Sequence, residues 1–399
     1  MTSTTATDVQ RPASVAEAAR LLKESRGSVL FRGGGTKMPW GGSPRDPNLL
    51  LETGGLQREI SHNPADMTAA VEAGGPLGTL QELLAEAGQW LALDPPTEAA
   101  GATIGGLLAT GDSGPRRLRY GAMRDLVIGV TLVLADGTVA KAGGQVIKNV
   151  AGYDLSKLTY GSLGTLALIA EVVVRVHPRP EASATIAVPA DVPTAAAASL
   201  GLLASALEPA AVDWVGDPRD ATGRLVVRFE GPAAGVEAQS VTLREVVADA
   251  AGAEPATEAA EAQLWNELAA AHGADAGETA AFAGTLPSQL PAVADALASA
   301  ASDSGADVRL ASHSALGLHT AVFSGPLDAQ ARAFDAWRGA VLALGGTVLL
   351  RDRPDQVADL VDPLGPPPSA VNLLRALKSR LDPAGRLAPG RLGSWEEQR

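Results

Sequence analysis

The sequence predicts an α+β protein of two or three domains. Its 399 residues are 46% apolar and 19% charged, which is enough to build the cores of about two or three domains. Short apolar or β-branched runs alternate with helix patterns up to about residue 180, and glycine clusters separate them. Residues 183–350 are instead rich in alanine and mix helical and strand patterns. We therefore expect small α/β units followed by a separate α+β domain.

The first unit opens with a capped helix. Ser14 is a suitable N-cap, and Glu17 stands at the third helical position, so the two residues predict an amphipathic helix over residues 12–26. A strand at 28–31 follows and leads into the first glycine cluster. Further short strands are predicted at 49–51 and 67–71, with a helix at 79–87.

The second unit follows Gly101. It contains predicted strands at 126–134 and 137–140, joined by a hairpin-type turn, and closes with a β-branched run at 165–176. Two later helices are predicted. One is an Ala-rich core helix at 194–207, and the other spans 369–381 and ends before Asp382.

The first glycine cluster directly follows the strand at 28–31 and lacks the Rossmann and Walker spacings. It consists of Gly33, Gly34 and Gly35, flanked by Arg32 and by Thr36-Lys37. Consecutive glycines allow positive φ and let backbone N–H groups approach an anion, and the flanking cations add charge. The cluster therefore indicates a pyrophosphate-bearing cofactor, although a plain flexible turn has the same composition. We predict that Gly34→Val abolishes cofactor retention, because valine blocks the close approach and resists positive φ.

A second cluster, at 95–115, alternates small residues with hydroxyls. The Gly105-Gly106 pair allows close backbone approach, and Thr103, Thr110 and Ser113 can donate hydrogen bonds to phosphate or ring carbonyl oxygens. An ordinary glycine-rich loop is the alternative.

The next residues contain four arginines within nine positions. These arginines could bind a dianion or a carboxylate substrate, or they could form salt bridges on one face of the protein. These are Arg116, Arg117, Arg119 and Arg124.

The third motif, Lys148 to Ile169, completes a resemblance. With the two glycine clusters in this order, it closely resembles the FAD-binding domain of the vanillyl-alcohol-oxidase superfamily, called the PCMH type. Within that superfamily, the stretches at 111–117 and 148–155 resemble the FAD-binding E-type subunits of bacterial glycolate oxidase. The segment at 382–391 resembles the closing segment of these proteins. The likeness covers residues 12–180 well.

The resemblance implies a PCMH-type fold of two α/β subdomains with FAD extended between them and a cap domain over the isoalloxazine. The first two glycine clusters would lie on the pyrophosphate, and 161–169 near the adenosine end. The implied organisation is a flexible N-terminus at 1–11, an FAD-binding domain at 12–180 with subdomains at 12–73 and 74–180, a cap or substrate domain at 181–350, and a C-terminal segment at 351–399 that returns to the flavin.

The resemblance assigns FAD contacts to residues of all three motifs. The expected contacts are Arg32, Gly33, Gly34, Gly35, Thr36, Lys37, Pro96, Thr97, Gly101, Thr103, Ile104, Gly105, Gly106, Thr110, Gly111, Ser113, Gly114, Gly152, Tyr153, Asp154, Gly161, Gly164, Thr165 and Ile169. Thr36 stands where covalent members place a histidine, and the chain has no cysteine, so we expect non-covalent FAD. Ala388 stands where the family commonly has asparagine, which removes a polar contact near the flavin ring.

The implied activity is oxidation of a small 2-hydroxy acid, glycolate or D-lactate, to the 2-oxo acid. A chain without cysteine cannot hold a thiolate-ligated iron–sulfur cluster, so electrons would pass to a separate iron–sulfur subunit, beside a paralogous FAD subunit. Two alternatives stay open. The chain could be a supporting or electron-relay FAD subunit without its own turnover, or a stand-alone FAD-dependent oxidase or reductase of another substrate.

The catalytic residues are not apparent from the sequence. Arg119, Tyr120 and Arg391 are candidates for carboxylate or flavin contacts, and no catalytic base stands out. Related hydroxy-acid dehydrogenases use a His-rich metal segment, for which this chain offers only His313 and His319. Even spacing on one strand would place both on one face, but no neighbouring Asp, Glu or Cys completes a divalent site. We expect no metal. Of the other histidines, His62 is expected in a surface turn and His177 at a strand end, and His272, at the end of an Ala-rich helix, carries no functional signal.

Charge and hydropathy limit the partners. The net charge of −13 disfavours nucleic acid and anionic membranes, which are bound through clustered Lys and Arg. The first residues lack the features of a secretory signal, and no stretch is long and apolar enough to cross a bilayer. We expect a cytoplasmic protein that meets a membrane only through its partners.

Overall fold

The computed structural model describes residues 8–145, 154–220, 223–246 and 258–396, which form two compact units. The first unit contains the described residues of 8–113, 121–179 and 364–396. The second contains those of 114–120 and 180–363. The predicted cofactor residues Gly152 and Tyr153 lie outside the described residues. The domain boundaries expected at 180 and 350 stay predictions.

The strands are numbered in chain order. They are β1 (Asp8–Gln10), β2 (Val29–Arg32), β3 (Leu49–Glu52), β4 (Glu59–Asn63), β5 (Thr68–Glu72), β6 (Gln89–Trp90), β7 (Val127–Val133), β8 (Val139–Gly143), β9 (Leu168–Arg175), β10 (His177–Pro178), β11 (Ala182–Pro189), β12 (Ala211–Gly216), β13 (Gly223–Gly231), β14 (Thr279–Gly284), β15 (Asp307–His313), β16 (Leu318–Ser324) and β17 (Thr347–Leu350).

The helices are numbered in the same way. They are α1 (Val15–Glu24), α2 (Leu77–Ala85), α3 (Ile104–Thr110), α4 (Arg117–Tyr120), α5 (Met123–Leu126), α6 (Leu155–Thr159), α7 (Val192–Ala204), α8 (Ala233–Val246), α9 (Glu258–Ala271), α10 (Leu290–Ser304), α11 (Leu327–Ala343), α12 (Asp355–Ala358) and α13 (Val371–Leu381).

The first unit contains three sheets. A parallel three-stranded sheet has the order β1-β3-β2, and an antiparallel five-stranded sheet has the order β4-β5-β9-β7-β8. The short strands β10 and β6 pair separately. The C-terminal segment returns to the first sheet, where Leu387 bridges Val29 in parallel. This return brings the end of the chain beside the strand that leads into the first glycine cluster.

Each larger sheet of the first unit buries one face under helices. Ala18 and Leu22 of α1 pack with Val29 and Leu51 of the three-stranded sheet. Residues of α2 and α3 pack with β5, β7 and β9 in a second core. The helix α1 begins as predicted, because the Ser14 side chain accepts a hydrogen bond from the Glu17 backbone N–H. The other predicted strands and helices of this unit appear with ends shifted by a few residues.

The second unit is an antiparallel seven-stranded sheet with helices on both faces. Its order is β11-β13-β12-β15-β16-β14-β17. One face packs on α7, α8, α10 and α11 around a large core that includes Trp214 and Trp337. On the other face, Leu264 and Leu268 of α9 cover Val226 of β13. Successive strand residues point to opposite faces, so β12 and β15 also present side chains on the α9 side.

Candidate functional site

A cleft of about 740 Å³ of empty space lies at the first glycine cluster. Its lining combines glycines and hydroxyls with two cationic side chains and an apolar section. The lining residues are Phe31, Gly33, Gly34, Gly35, Thr36, Lys37, Met38, Thr53, Ala73, Thr103, Gly105, Gly106, Ala109, Thr110, Leu163, Gly164, Ala167, Leu168, Ile169 and Arg391. The cleft therefore offers backbone and hydroxyl donors, positive charge and apolar surface.

The two glycine clusters interlock at this cleft. A Cβ atom on Gly33 would stand 2.3 Å from Thr103 Oγ1, and one on Gly34 would stand 2.1 Å from the carbonyl oxygen of Gly101. Positive φ occurs in the turn at Gly35, where φ is +74°. The expectation of positive φ at Gly34 is therefore wrong, and the requirement for glycine there comes from the close approach of the second loop.

Lys37 is held in a buried ion pair beside the turn. Its Nζ lies 3.4 Å from Asp112 Oδ2, and both side chains are at most 5% exposed. Thr97 also donates a hydrogen bond to Asp112 Oδ2 at 2.8 Å, and Lys37 Nζ lies 3.1 Å from Thr36 Oγ1. Thr97 therefore contacts the carboxylate that orients Lys37, and it does not itself line the cleft.

The C-terminal segment contributes a second cation to the cleft. Arg391 is 4% exposed, and its Nη1 donates to the carbonyl oxygens of Met38 and Trp40 at 2.6 and 2.8 Å. The segment is fixed to β2 by the backbone hydrogen bond from Ala388 N to Val29 O. Ala388 itself adopts positive φ, +46°, a conformation that asparagine tolerates better than alanine.

Leu163 and its neighbours join the cleft from another loop. The backbone N–H groups of Gly161 and Leu163 donate to the carbonyl oxygens of Leu108 and Ala109, which fixes the loop on α3. Leu163 has a φ of +53°, so this hydrogen bonding holds a strained residue at the cleft. The sequence indicated this loop through its glycines, but it gave no sign of Leu163.

The predicted FAD contacts fall into two groups. Eleven line the cleft: Gly33, Gly34, Gly35, Thr36, Lys37, Thr103, Gly105, Gly106, Thr110, Gly164 and Ile169. The described residues outside its lining are Arg32, Pro96, Thr97, Gly101, Ile104, Gly111, Ser113, Gly114, Asp154, Gly161 and Thr165. Arg32 is paired with Glu52. Cofactor contacts at all of these positions stay predictions.

Two of the four arginines after the second cluster, Arg116 and Arg119, contact Glu230 in the second unit. Glu230 is 1% exposed and accepts hydrogen bonds from Arg116 Nε at 2.9 Å and from the Tyr120 hydroxyl at 3.2 Å. Arg228 pairs with the same carboxylate at 3.1 Å, and Arg119 donates to the Glu230 backbone oxygen at 2.7 Å. Of the two sequence interpretations, this geometry supports the salt-bridged face.

Tyr120 is poorly suited to act as a proton carrier in this environment. Burial, followed by the negative charge of Glu230, raises the pKa of Tyr120 to about 12. The phenol therefore keeps its proton at neutral pH and serves as a hydrogen-bond donor to Glu230. Catalytic roles for Arg119 and Tyr120 stay predictions, and both side chains have structural partners here.

The α9 side of the second unit's sheet carries a buried cluster that the sequence did not reveal. Asp213 on β12 lies opposite His313 on β15, and Asp213 Oδ1 is 2.8 Å from His313 Nδ1. His272 follows the end of α9, and its ring stacks on that of His313 with centroids 4.2 Å apart. The sequence neighbourhood of His313 offered no carboxylate, and strand pairing supplies one from a distant position.

Burial shapes the charges of this cluster. Burial alone would raise the pKa of Asp213, but its interactions with the neighbouring His313 and His272 lower it to about 2. Burial, followed by the nearby His313 and Arg351, lowers the pKa of His272 to about 4. At neutral pH Asp213 is therefore a carboxylate and His272 a neutral imidazole, the protonation states of a metal ligand or a hydrogen-bond acceptor.

The expectation that His313 and His319 share one face is wrong. His313 ends β15 and pairs with Leu318, and His319 on β16 pairs with Ser312. A turn separates the two strands, so the histidines point to opposite faces of the sheet. His319 is fully buried and its Nε2 and Nδ1 are each 2.9 Å from the hydroxyls of Thr285 and Ser312. Burial lowers the pKa of His319 to about 3.

Two further histidines lie as follows. His62 lies within β4 and not in the expected surface turn; it is partly exposed, and its Nε2 is 2.9 Å from Gln89 Oε1. His177 does not end β9, as expected, but begins the separate strand β10 one residue later. Among the residues that the structure describes, no helix is long and apolar enough to span a membrane.

Comparison with known proteins assigns a family model and several relatives. Residues 8–143 match the model described as an FAD binding domain. Glycolate oxidase subunit GlcE of Escherichia coli K12 is 41% identical over 127 residues, which are 32% of this chain and 36% of that protein. Glycolate oxidase subunit GlcD of Bacillus subtilis is 31% identical over 245 residues, 57% of this chain and 52% of that protein.

A third relative is the D-lactate dehydrogenase of Archaeoglobus fulgidus, 35% identical over 184 residues, 45% of this chain and 41% of that protein. The matched region thus spans about a third to a half of the length of these relatives. Among solved structures, alkyldihydroxyacetonephosphate synthase has a TM-score of 0.70 at 18% identity, covering 96% of this chain and 76% of that chain.

A second solved structure, titled FgChi7B, has a TM-score of 0.69 at 16% identity and covers 97% of this chain and 91% of that chain. At these identities the likeness shows the fold alone. With the family match, it confirms the predicted fold class, α+β with a PCMH-type FAD-binding domain. It leaves the substrate and the partners to be inferred from the site.

Proposed function

We propose that this chain, whose residues 8–143 are an FAD-binding domain, is an FAD-dependent oxidoreductase that oxidises a small 2-hydroxy acid, such as glycolate or D-lactate, to the 2-oxo acid. The observation that carries the proposal is the cleft at the first glycine cluster, in a chain whose relatives include glycolate oxidase subunits and a D-lactate dehydrogenase.

The residues of the cleft fit FAD. Gly33 and Gly34 are packed so closely against the second loop that no side chain fits, which leaves the backbone of the turn facing the cleft. Lys37 and Arg391 are the charged residues of its lining, and both are cationic, as a pyrophosphate requires. Phe31 and Ile169 offer apolar surface for ring systems.

FAD, when bound, supplies a hydride acceptor for the α-carbon of the hydroxy acid. The chain's own part in the reaction is to hold the cofactor. Lys37, oriented by Asp112, and Arg391, oriented by the Met38 and Trp40 carbonyls, would balance the phosphate charges without moving. Thr36 cannot form the histidine-type flavin bond, so the cofactor would be held without a covalent link.

We further propose how electrons leave. The chain has no cysteine, so a cysteine-rich iron–sulfur subunit would take them, beside a paralogous FAD subunit. The complex would act in the cytoplasm or at a membrane reached through its partners.

A second candidate is a supporting FAD subunit that relays electrons without its own turnover. Two observations favour it. Arg119 and Tyr120, the sequence candidates for substrate contacts, are engaged with Glu230. The partial match to subunit GlcE also concerns one subunit of an oxidase.

The deciding experiment begins with the purified chain. Acid precipitation should release all flavin as FAD, and a colourless protein that takes up no added FAD would contradict both candidates. Anaerobic mixing with glycolate or D-lactate should bleach the flavin absorbance if the chain turns over substrate. Retention of colour with both acids, but bleaching after a cysteine-rich and a paralogous FAD subunit are added, would select the supporting role. If the flavin bleaches in neither preparation, the remaining alternative is a stand-alone enzyme that acts on another substrate.

A further inference from the structure

Asp213, His272 and His313 direct three ligand-type side chains at one point in the second unit. They come from β12, from the residue after α9 and from β15, and their ligand atoms all lie within 4.8 Å of one another. Their exposures are 1%, 7% and 3%. Three elements far apart in sequence thus bring a carboxylate and two imidazoles together away from solvent.

Two atoms of this cluster lack hydrogen-bond partners among the described residues. They are Asp213 Oδ2 and His272 Nε2, and they face each other at 3.6 Å. Leaving buried polar atoms unpaired is costly, and 3.6 Å is too long for a hydrogen bond. The separation is close to the roughly 3.4 Å between two ligand atoms of a tetrahedral zinc ion with bonds near 2.0–2.1 Å. The two atoms are therefore spaced for a shared cation.

The neighbouring contacts orient the rings for this role. His272 Nδ1 lies 2.9 Å from the buried Thr320 hydroxyl, which turns Nε2 toward Asp213. Such a hydrogen bond on the other ring nitrogen is the usual support of a metal-binding histidine. His313 Nδ1 shares a proton with Asp213 Oδ1 at 2.8 Å, and a cation between the three side chains would replace that proton.

We propose that Asp213, His272 and His313 bind one divalent transition-metal cation, best fitted by Zn²⁺. One carboxylate oxygen with two imidazole nitrogens is a zinc-type donor set, whereas Mg²⁺ and Ca²⁺ prefer all-oxygen sites. The ion would tie the end of α9 to β12 and β15. This inference replaces the expectation of no metal, and it differs from the His313 and His319 pair considered from the sequence, because His319 lies on the opposite face.

The first test measures metal in the full-length protein purified with its flavin. After expression with zinc and gel filtration, mass spectrometry of the metals should find about one zinc per chain. Stripping with a chelator should lower the melting temperature, and added Zn²⁺ should restore it. Co²⁺ should bind in its place and give absorption bands at longer wavelengths than the flavin. Metal content is measured separately from flavin content, so loss of FAD would not imitate the result.

The second test compares single variants. Asp213→Asn, His272→Gln and His313→Gln should each reduce bound zinc to below about a tenth of an equivalent. His319→Gln, which changes another buried histidine of the same sheet, should keep wild-type zinc. Wild-type protein without zinc and without a zinc-dependent melting shift would overturn the proposal. The proposal would also be overturned if His319→Gln lost its zinc while Asp213→Asn kept it. If the ligand variants do not fold, the wild-type measurements alone decide.

Discussion

A Cβ atom on Gly34 would lie 2.1 Å from the carbonyl oxygen of Gly101. The two glycine loops of the cleft therefore touch through backbone, and no side-chain movement can make room at Gly34. Gly33 stands in the same relationship to Thr103 Oγ1, at 2.3 Å. The contact sets the distance between the two loops that line the cofactor cleft, so the shape of the cleft depends on the absence of a side chain at Gly34.

We predict that Gly34→Val abolishes FAD retention. Valine would push the turn away from Gly101 and separate the loops that line the cleft. The measurement is the flavin-to-protein ratio after gel filtration. The matched control is Gly78→Ala in α2, where nothing lies within 4 Å of an added Cβ, and which should keep FAD and gain up to about 1 kcal/mol of stability. Full FAD occupancy in Gly34→Val would show that the turn does not hold the cofactor.

A second prediction concerns Lys37. Lys37→Met should reduce FAD retention and also destabilise the fold by about 3–5 kcal/mol, because it leaves Asp112 buried without its cation. The double variant Lys37→Met with Asp112→Asn should recover most of the stability in urea unfolding, but it should not recover FAD retention.

The double variant separates the two roles of Lys37. Recovery of both quantities would mean that Lys37 supports the fold and does not contact the cofactor. Lys23→Met, at an exposed position on α1, serves as the control and should change neither.

Local sequence patterns indicated the loops that line the cleft, and the family resemblance assigned them to FAD. The Ser14 cap, strand β2 and the glycine turn depend on residues within a few positions of one another, so composition and spacing determine them. Most of the cleft lining follows from these motifs. The return of Arg391 to the turn was predicted only through the family likeness, because its partners Met38 and Trp40 are far away in sequence.

Contacts across the sheet of the second unit could not be predicted in this way. His313 meets Asp213 because β12 and β15 pair in one register, and a shift of one residue would turn the carboxylate to the other face. For the same reason, the contact between Glu230 and Arg116 could not be predicted, because the position of Glu230 on β13 relative to Arg116 depends on long-range pairing. The turn between β15 and β16 also reverses the chain, which made the spacing of His313 and His319 misleading.

A third prediction tests the carboxylate at Glu230. Glu230→Gln removes the charge that pairs with Arg116 and Arg228, both mostly buried, and should cost about 3–5 kcal/mol in urea unfolding. The control is Glu208→Gln, whose side chain is 77% exposed at 3.9 Å from Arg119, and which should change stability by less than about 0.5 kcal/mol. Equal effects of the two variants would contradict a structural role for the buried pair.

The fourth prediction concerns pH and His319. Burial lowers the pKa of this histidine from 6.5 to about 3 in the folded protein. Between these two values the unfolded chain binds a proton that the folded protein does not, so the free energy of unfolding falls as the pH falls. For this one group, the free energy of unfolding should fall by about 1.4 kcal/mol for each pH unit below 6.5, until the pH reaches the pKa of His319 in the folded protein. Above pH 6.5 both states are neutral and the effect vanishes.

The measurement is urea unfolding at a series of pH values from neutral to moderately acidic. His319→Gln keeps groups that can hydrogen-bond to Thr285 and Ser312 but cannot gain a proton. Its unfolding free energy should therefore fall less steeply on acidification than that of the wild type, whatever its value at neutral pH. Equal slopes for the two proteins would show that His319 takes up a proton in the folded state as readily as in the unfolded chain, contrary to the buried, doubly hydrogen-bonded imidazole described above.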